Sequence, residues 1–124
     1  MNNNRPVNLD LTKFSFPLPA LTSIVHRITG VILFVGMVFL LYALDVSLSG
    51  PEGFAEIQEC MDAFLAKFII WGVVSSLLYH LVAGIKHLVM DMGFGETLEG
   101  GLLGAKVTIA VSVVLIVLAG IWIW

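Results

Sequence analysis

Four polar side chains lie close together near the start of a long apolar segment: Ser23, His26, Arg27 and Thr29. An ionisable side chain near the centre of a bilayer costs about 2.5 to 3.5 kcal/mol on insertion scales. Such residues therefore face a bundle interior, a cavity or a bound ligand in membrane helices. We interpret this group as a candidate functional site.

A second polar group lies in a later apolar segment, where Ser76, His80, Gly84 and His87 follow one another at intervals of four, four and three residues. This spacing places all four on one face of a helix. Counting residues from the expected helix ends places His26 and His87 at similar shallow depths. With a rise of 1.5 Å per residue, His80 is expected about 10 Å deeper than His87.

A bound haem would account for both groups. Iron takes a neutral imidazole such as His80 as an axial ligand, and Gly84 leaves room for the flat macrocycle. His26, Arg27 and His87 could supply cationic or hydrogen-bonding groups to the anionic propionates. We expect the second axial ligand from a partner subunit, because His80 and His87 project from one helix and His26 is expected at another depth. The alternative is that His80 only donates an interhelical hydrogen bond, as single histidines in membrane helices often do.

The composition indicates that this chain lies in a lipid bilayer and not in water. Of its 124 residues, 59% are hydrophobic and 12% are charged, and the mean hydropathy is +1.02. Globular domains average about 45 to 50% apolar and 25% charged residues. Because each membrane-spanning helix takes about 20 residues, three spans nearly exhaust the chain. The net charge of -3 and the lack of a basic cluster argue against nucleic-acid binding.

Prolines, glycines and acidic residues separate three apolar runs, so we predict an all-α membrane protein with three transmembrane helices. The expected segments are a cytoplasmic N-terminal part (1–19), a first helix (about 20–49), an outer loop (50–62), a second helix (about 63–91), a cytoplasmic loop (92–102) and a third helix (about 103–124). The third helix is expected only to pack. The single cysteine, Cys60, cannot form an internal disulfide and has no neighbouring ligand cluster, which favours a passive thiol.

The distribution of charge predicts the orientation. Basic residues flank the first span and the second connection: Arg5, Lys13, Arg27, Lys86 and Lys106. The first connection carries four acidic residues instead. The positive-inside rule then places the N-terminus in the cytoplasm. Lys86 is expected to extend its ammonium group to the lipid headgroups.

Four sequence blocks carry a resemblance to a known family. They are RPV at 5–7, SIVHRIT at 23–29, HLVAGIKH at 80–87 and MDMG at 90–93. In this order and spacing the chain closely resembles the cytochrome b membrane-anchor subunits of succinate dehydrogenase. One departure is Lys86, where the family usually has arginine; lysine keeps the charge and loses the planar guanidinium.

The resemblance implies a place in a four-subunit complex. The N-terminal residues lack the pattern of a transit peptide, which favours the bacterial inner membrane. In that family a flavoprotein subunit oxidises succinate, an iron–sulfur subunit carries the electrons, and two small anchors pack into a bundle that holds haem b and a ubiquinone site. No complete active site is then expected on this chain alone. Carried over by position, His80 matches the axial haem ligand, and His26, Arg27 and His87 match neighbours of the propionates.

The resemblance also implies residues of the ubiquinone pocket. Ser23 and Arg27 match quinone-site residues, and Ile24 and Phe16 match its apolar wall. Quinone reduction needs hydrogen-bond donors at the carbonyl oxygens and a cation near the developing negative charge, which Ser23 and Arg27 can supply from one helical face. Two alternatives stay open at this point: an anchor of a fumarate reductase or another quinone-linked dehydrogenase, and a purely structural anchor without a redox role.

Overall fold

The computed structural model describes residues 17–124, in which all regular secondary structure is helical. The helices are α1 (Leu18–Leu48), α2 (Pro51–Asp62), α3 (Phe64–Asp91) and α4 (Leu98–Ile123). Within this range, α1, α3 and α4 are long and apolar enough to cross a membrane. The prediction of an all-α membrane fold with three spans is confirmed.

Helix α1 begins two residues earlier than the prolines suggested. Pro17 is extended, and its carbonyl accepts the amide hydrogens of Ala20 at 3.0 Å and Leu21 at 3.1 Å. Pro19 lies inside the first turn, where a missing N–H is tolerated because the first amides of a helix have no partner within it. The expectation that both prolines precede the helix was therefore wrong.

The segment expected to be an outer loop, 50–62, is largely the helix α2. Gly50 adopts a φ of 154°, and Pro51 occupies the first helical position, where its fixed φ suits a helix start. A side chain at Gly53 would collide with the Val46 carbonyl at the end of α1. Glycine at these two positions thus allows α2 to follow α1 after a very short turn.

Helix α4 also begins earlier than expected, at Leu98 instead of about 103. Gly93 and Gly95 have positive φ values of 93° and 70° and form the turn after α3. The Thr97 hydroxyl then accepts the amide hydrogen of Gly100 at 3.0 Å. This N-cap starts the helix before two glycines that fall within the expected loop.

Small and weakly polar residues fill the space between the helices. The buried residues of the three long helices are Thr22, Thr29 and Gly36 in α1, Ser76, Tyr79 and Ala83 in α3, and Gly101, Ala105, Thr108 and Ser112 in α4. Large apolar side chains such as Phe34 and Ile121 point outward instead. Small interfacial residues allow close backbone approach, which drives helix association where lipid removes the hydrophobic force between helices.

Candidate functional site

The imidazole rings of His26 in α1 and His80 in α3 are in direct contact. Their centroids lie 4.0 Å apart and their planes differ by 8°. The expected difference in depth between these two residues was therefore wrong. His26 lies eight residues after the start of α1 and His80 eleven residues before the end of α3, a difference of only about 5 Å along the helix axes.

His87 completes a contiguous group of three imidazoles. Its ring meets the edge of His26, with centroids 5.2 Å apart and planes inclined by 64°. The Nε2 atom of His26 is buried and has no hydrogen-bond partner among residues 17–124. A Cβ atom at Gly84 would lie 3.6 Å from this nitrogen. The structure thus brings the three predicted histidines and Gly84 together.

The ring of His80 is hydrogen-bonded to α1 through its Nδ1 atom. Its Nδ1 lies 3.1 Å from the Thr29 hydroxyl and 3.1 Å from the His26 carbonyl oxygen. Gly30 lies against the same ring, because a Cβ there would come within 3.3 Å of His80 Cε1. Both hydrogen bonds that the described residues make to this ring involve Nδ1, so Nε2 is left for another partner.

These residues fit one side of a haem. Nε2 of His80 has the chemistry of an axial ligand. The space beside Gly84, which was expected to hold the macrocycle, is taken by the His26 ring, and Gly30 makes room for the His80 ring. His26 and His80 cannot ligate one iron from opposite sides in this arrangement, because the nitrogen lone pairs of stacked rings lie in parallel planes and do not converge. Within residues 17–124, no three His, Cys, Asp or Glu side chains form a metal-ion cluster.

The predicted quinone residues lie on the outer side of α1. Ser23 is half-buried, and Ile24 and Arg27 are exposed. Ser23 and Arg27 are four residues apart on one helix and therefore share a face. Phe16, predicted for the apolar wall of the same pocket, lies outside the described residues. The face of α1 that carries Ser23 and Arg27 is open to a ligand or to another subunit.

Lys86, expected to extend its ammonium group to the lipid headgroups, turns that group toward α1. Its Nζ donates to the Thr22 hydroxyl at 3.4 Å, and its aliphatic stem passes Gly104 of α4, where a Cβ would lie 3.5 Å from Lys86 Cε. The glycine provides the space for the lysine stem. Lys86 therefore links α1, α3 and α4 at the edge of the candidate site.

Two contacts of the site were missed by sequence reasoning. The Tyr79 hydroxyl donates to the Thr22 carbonyl at 2.7 Å and fixes α3 against the turn of α1 that precedes Ser23. The hydroxyl of Thr29 bonds its own helix, as threonine hydroxyls in helices commonly do, yet it also contacts His80. One feature of the sequence could have pointed to the Tyr79 contact. A tyrosine hydroxyl next to a histidine in an apolar span needs a hydrogen-bond partner.

Comparison with known proteins agrees with this class of membrane protein. Residues 1–119 match the family described as succinate dehydrogenase/fumarate reductase transmembrane subunit. A succinate dehydrogenase cytochrome b556 subunit from Coxiella burnetii is 44% identical over the full length of both chains. The subunit of that name from Paracoccus denitrificans is 38% identical over 93% of this chain and 88% of its own length. A mitochondrial cytochrome b560 subunit from Sus scrofa is 34% identical over 79% of this chain and 59% of its own.

The chain therefore belongs to the family of succinate dehydrogenase and fumarate reductase transmembrane subunits. The prediction of a membrane cytochrome b anchor subunit of succinate dehydrogenase is confirmed at this level. It is a multi-pass membrane subunit of an oxidoreductase complex with other subunits, and the cytochrome b relatives support a haem cofactor. The predicted bacterial membrane localisation agrees with the bacterial relatives.

Proposed function

We propose that this chain ligates one side of haem b through His80 and forms part of the ubiquinone-reduction site through Ser23 and Arg27. A second small anchor subunit supplies the other axial ligand. Electrons arrive from the flavoprotein through the iron–sulfur subunit, and both soluble subunits dock on the cytoplasmic side. No complete active site lies on this chain alone.

The observation that carries the haem proposal is the fixed orientation of the His80 ring. Nδ1 contacts the Thr29 hydroxyl and the His26 carbonyl oxygen at 3.1 Å each, and Nε2 has no partner among the described residues. A metal-binding histidine typically donates its other ring N–H to an oxygen, which orients the ring. When bound, the haem supplies a one-electron redox centre.

The residues around His80 suit the periphery of an anionic cofactor. Arg27 follows His26 directly, and His87 lies against the edge of the His26 ring. The buried Nε2 of His26 has no partner among residues 17–124, and a buried polar atom of this kind needs a partner from a bound group or another chain. We propose His26, Arg27 and His87 as the residues beside the propionates.

The quinone proposal is based on charge and accessibility. Reduction of a quinone to a quinol takes two electrons and two protons, so both carbonyl oxygens need donors during the reaction. The Ser23 hydroxyl can donate to one carbonyl oxygen, and the exposed Arg27 guanidinium can stabilise negative charge as it develops. Ile24, exposed beside Ser23, and Phe16 are proposed as apolar wall. Protons come from water at the cytoplasmic boundary.

A reduced-minus-oxidised absorption spectrum of the detergent-extracted complex, with its subunits identified by mass, tests this function. We expect a b-type spectrum together with a flavoprotein, an iron–sulfur protein and a second small membrane chain. A complex that lacks haem and does not depend on quinone would contradict the proposal and favour a purely structural anchor.

An anchor of a fumarate reductase is the second candidate, because the matched family includes subunits of both enzymes. The membrane chemistry can run in either direction. Measuring succinate oxidation against fumarate reduction in the same assembled complex separates the two, and we expect succinate oxidation with quinone to be the faster reaction.

A further inference from the structure

Thr29 lies at the interface of α1 and α3 with only 6% of its surface exposed, and its hydroxyl contacts the ring of His80. We propose that Thr29 is a positioning residue for His80. Together with the His26 carbonyl, it holds the imidazole in the tautomer that leaves Nε2 unprotonated and free to bind iron. This inference rests on the proposed ligation of haem by His80.

The hydrogen-bond pattern determines the tautomer. The Thr29 hydroxyl donates its single hydrogen to the His26 carbonyl at 2.8 Å, so it offers His80 Nδ1 a lone pair. The His26 carbonyl, 3.1 Å from the same Nδ1, is also an acceptor. An unprotonated Nδ1 would point its lone pair at that carbonyl. Nδ1 therefore carries the hydrogen, and in a neutral imidazole Nε2 then carries the lone pair.

The position of Thr29 in α1 makes this arrangement rigid. Its bond to the carbonyl three residues earlier fixes the side-chain rotamer, and its burial excludes water that would compete for His80. Gly30, the next residue, allows the ring to approach the α1 backbone. An oxygen that accepts the Nδ1 hydrogen makes the imidazole a stronger electron donor at Nε2. This favours the oxidised state of a bound iron and lowers its reduction potential.

The test compares Thr29→Val, which removes the hydroxyl at nearly constant volume, with Thr29→Ser, which keeps it, in the assembled four-subunit complex. Thr108→Val is the control, since Thr108 is also buried, with 2% of its surface exposed, but lies in α4 and is not among the hydrogen-bond partners of His80. The readouts are the midpoint potential of the haem and the electron paramagnetic resonance signal of its oxidised form.

We expect the potential to rise in Thr29→Val and the resonance signal to shift, whereas Thr29→Ser and Thr108→Val keep the values of the unaltered complex. An unchanged potential in Thr29→Val, or equal shifts in Thr29→Val and Thr29→Ser, would overturn the proposal. If Thr29→Val does not assemble, haem content in Thr29→Ala and Thr29→Ser decides instead. We then expect loss only in the alanine variant, and equal content in both would refute the role.

If His80 is not the haem ligand, the variants give a different set of results. A complex with His80→Ala that keeps the b-type spectrum would remove His80 as the ligand, whatever the Thr29 variants show. A complex with His80→Ala that loses the spectrum, combined with unchanged potential in Thr29→Val, would keep the ligand and reject only the positioning role.

Discussion

The imidazoles of His26 and His80 stack face to face across the interface of α1 and α3, with centroids 4.0 Å apart and planes within 8° of parallel. The two histidines are 54 positions apart in the sequence. The stack has a direct consequence for ligation, because the nitrogen lone pairs of parallel rings do not converge on one point. His26 and His80 therefore cannot bind one iron from opposite sides, and under our proposal a partner chain supplies the second axial ligand.

Replacing His80 tests the proposed ligand most directly. We expect His80→Ala to lose or strongly alter the b-type absorption spectrum of the purified complex, because an axial ligand is removed. His87→Ala is the comparison, since it removes an imidazole proposed to lie beside the propionates and leaves the ligand in place, and we expect a much smaller loss of haem than in His80→Ala. Haem content per complex is the measurement, and equal content in both variants would contradict the assignment.

Replacing Ser23 or Arg27 tests the quinone site. A hydrogen bond to a charged group contributes about 1.5 to 3 kcal/mol, so Arg27→Leu should slow quinone reduction about 10-fold or more, and Ser23→Ala should act in the same direction. Electron transfer to a soluble artificial acceptor should change little. Ser47→Ala is the control, because its hydroxyl lies near the other end of α1 and donates to the Leu44 carbonyl of its own helix. Equal losses with both acceptors would argue against quinone binding here.

A methyl group at Gly30 tests the close packing of the His80 ring. The added Cβ would lie 3.3 Å from His80 Cε1, so the ring has to shift, and we expect Gly30→Ala to change the haem spectrum or lower haem content. Gly36→Ala is a matched control on the same helix, where the Cβ would lie 3.2 Å from Val73 Cγ1, far along α1 from the histidines. The same spectral change in both variants would indicate a general packing defect.

The contact between α3 and α4 predicts an effect on stability alone. The Trp71 indole donates to the Ile116 carbonyl at 2.9 Å, and Gly120 makes room for its ring. Trp71→Phe removes this bond and should cost about 1 kcal/mol, seen as a lower Tm of the detergent-solubilised complex with an unchanged haem spectrum. Trp122→Phe is the control, since Trp122 is 85% exposed. A Tm loss of equal size in the control would contradict this role of Trp71.

Composition and local pattern were sufficient to predict the membrane environment, the three spans and the two polar groups of the site. These features depend on hydropathy over about 20 residues and on helical periodicity, both of which are local properties. The helix ends were less accurate, because Pro19 is tolerated in a first turn and Thr97 caps α4 ahead of two glycines. The stretch 51–62 is acidic and too polar to span a membrane, so it was assigned to a loop instead of to α2.

The tertiary structure alone decided which groups meet. Neither the contact of Thr29 with His80 nor the position of Lys86 beside Thr22 follows from spacing, since their partners are 51 and 64 residues away in the sequence. Such contacts depend on the axial offset and rotation between packed helices. Close approach of small buried residues on α1, α3 and α4 sets both quantities, and it is a property of the assembled bundle that no single helix carries.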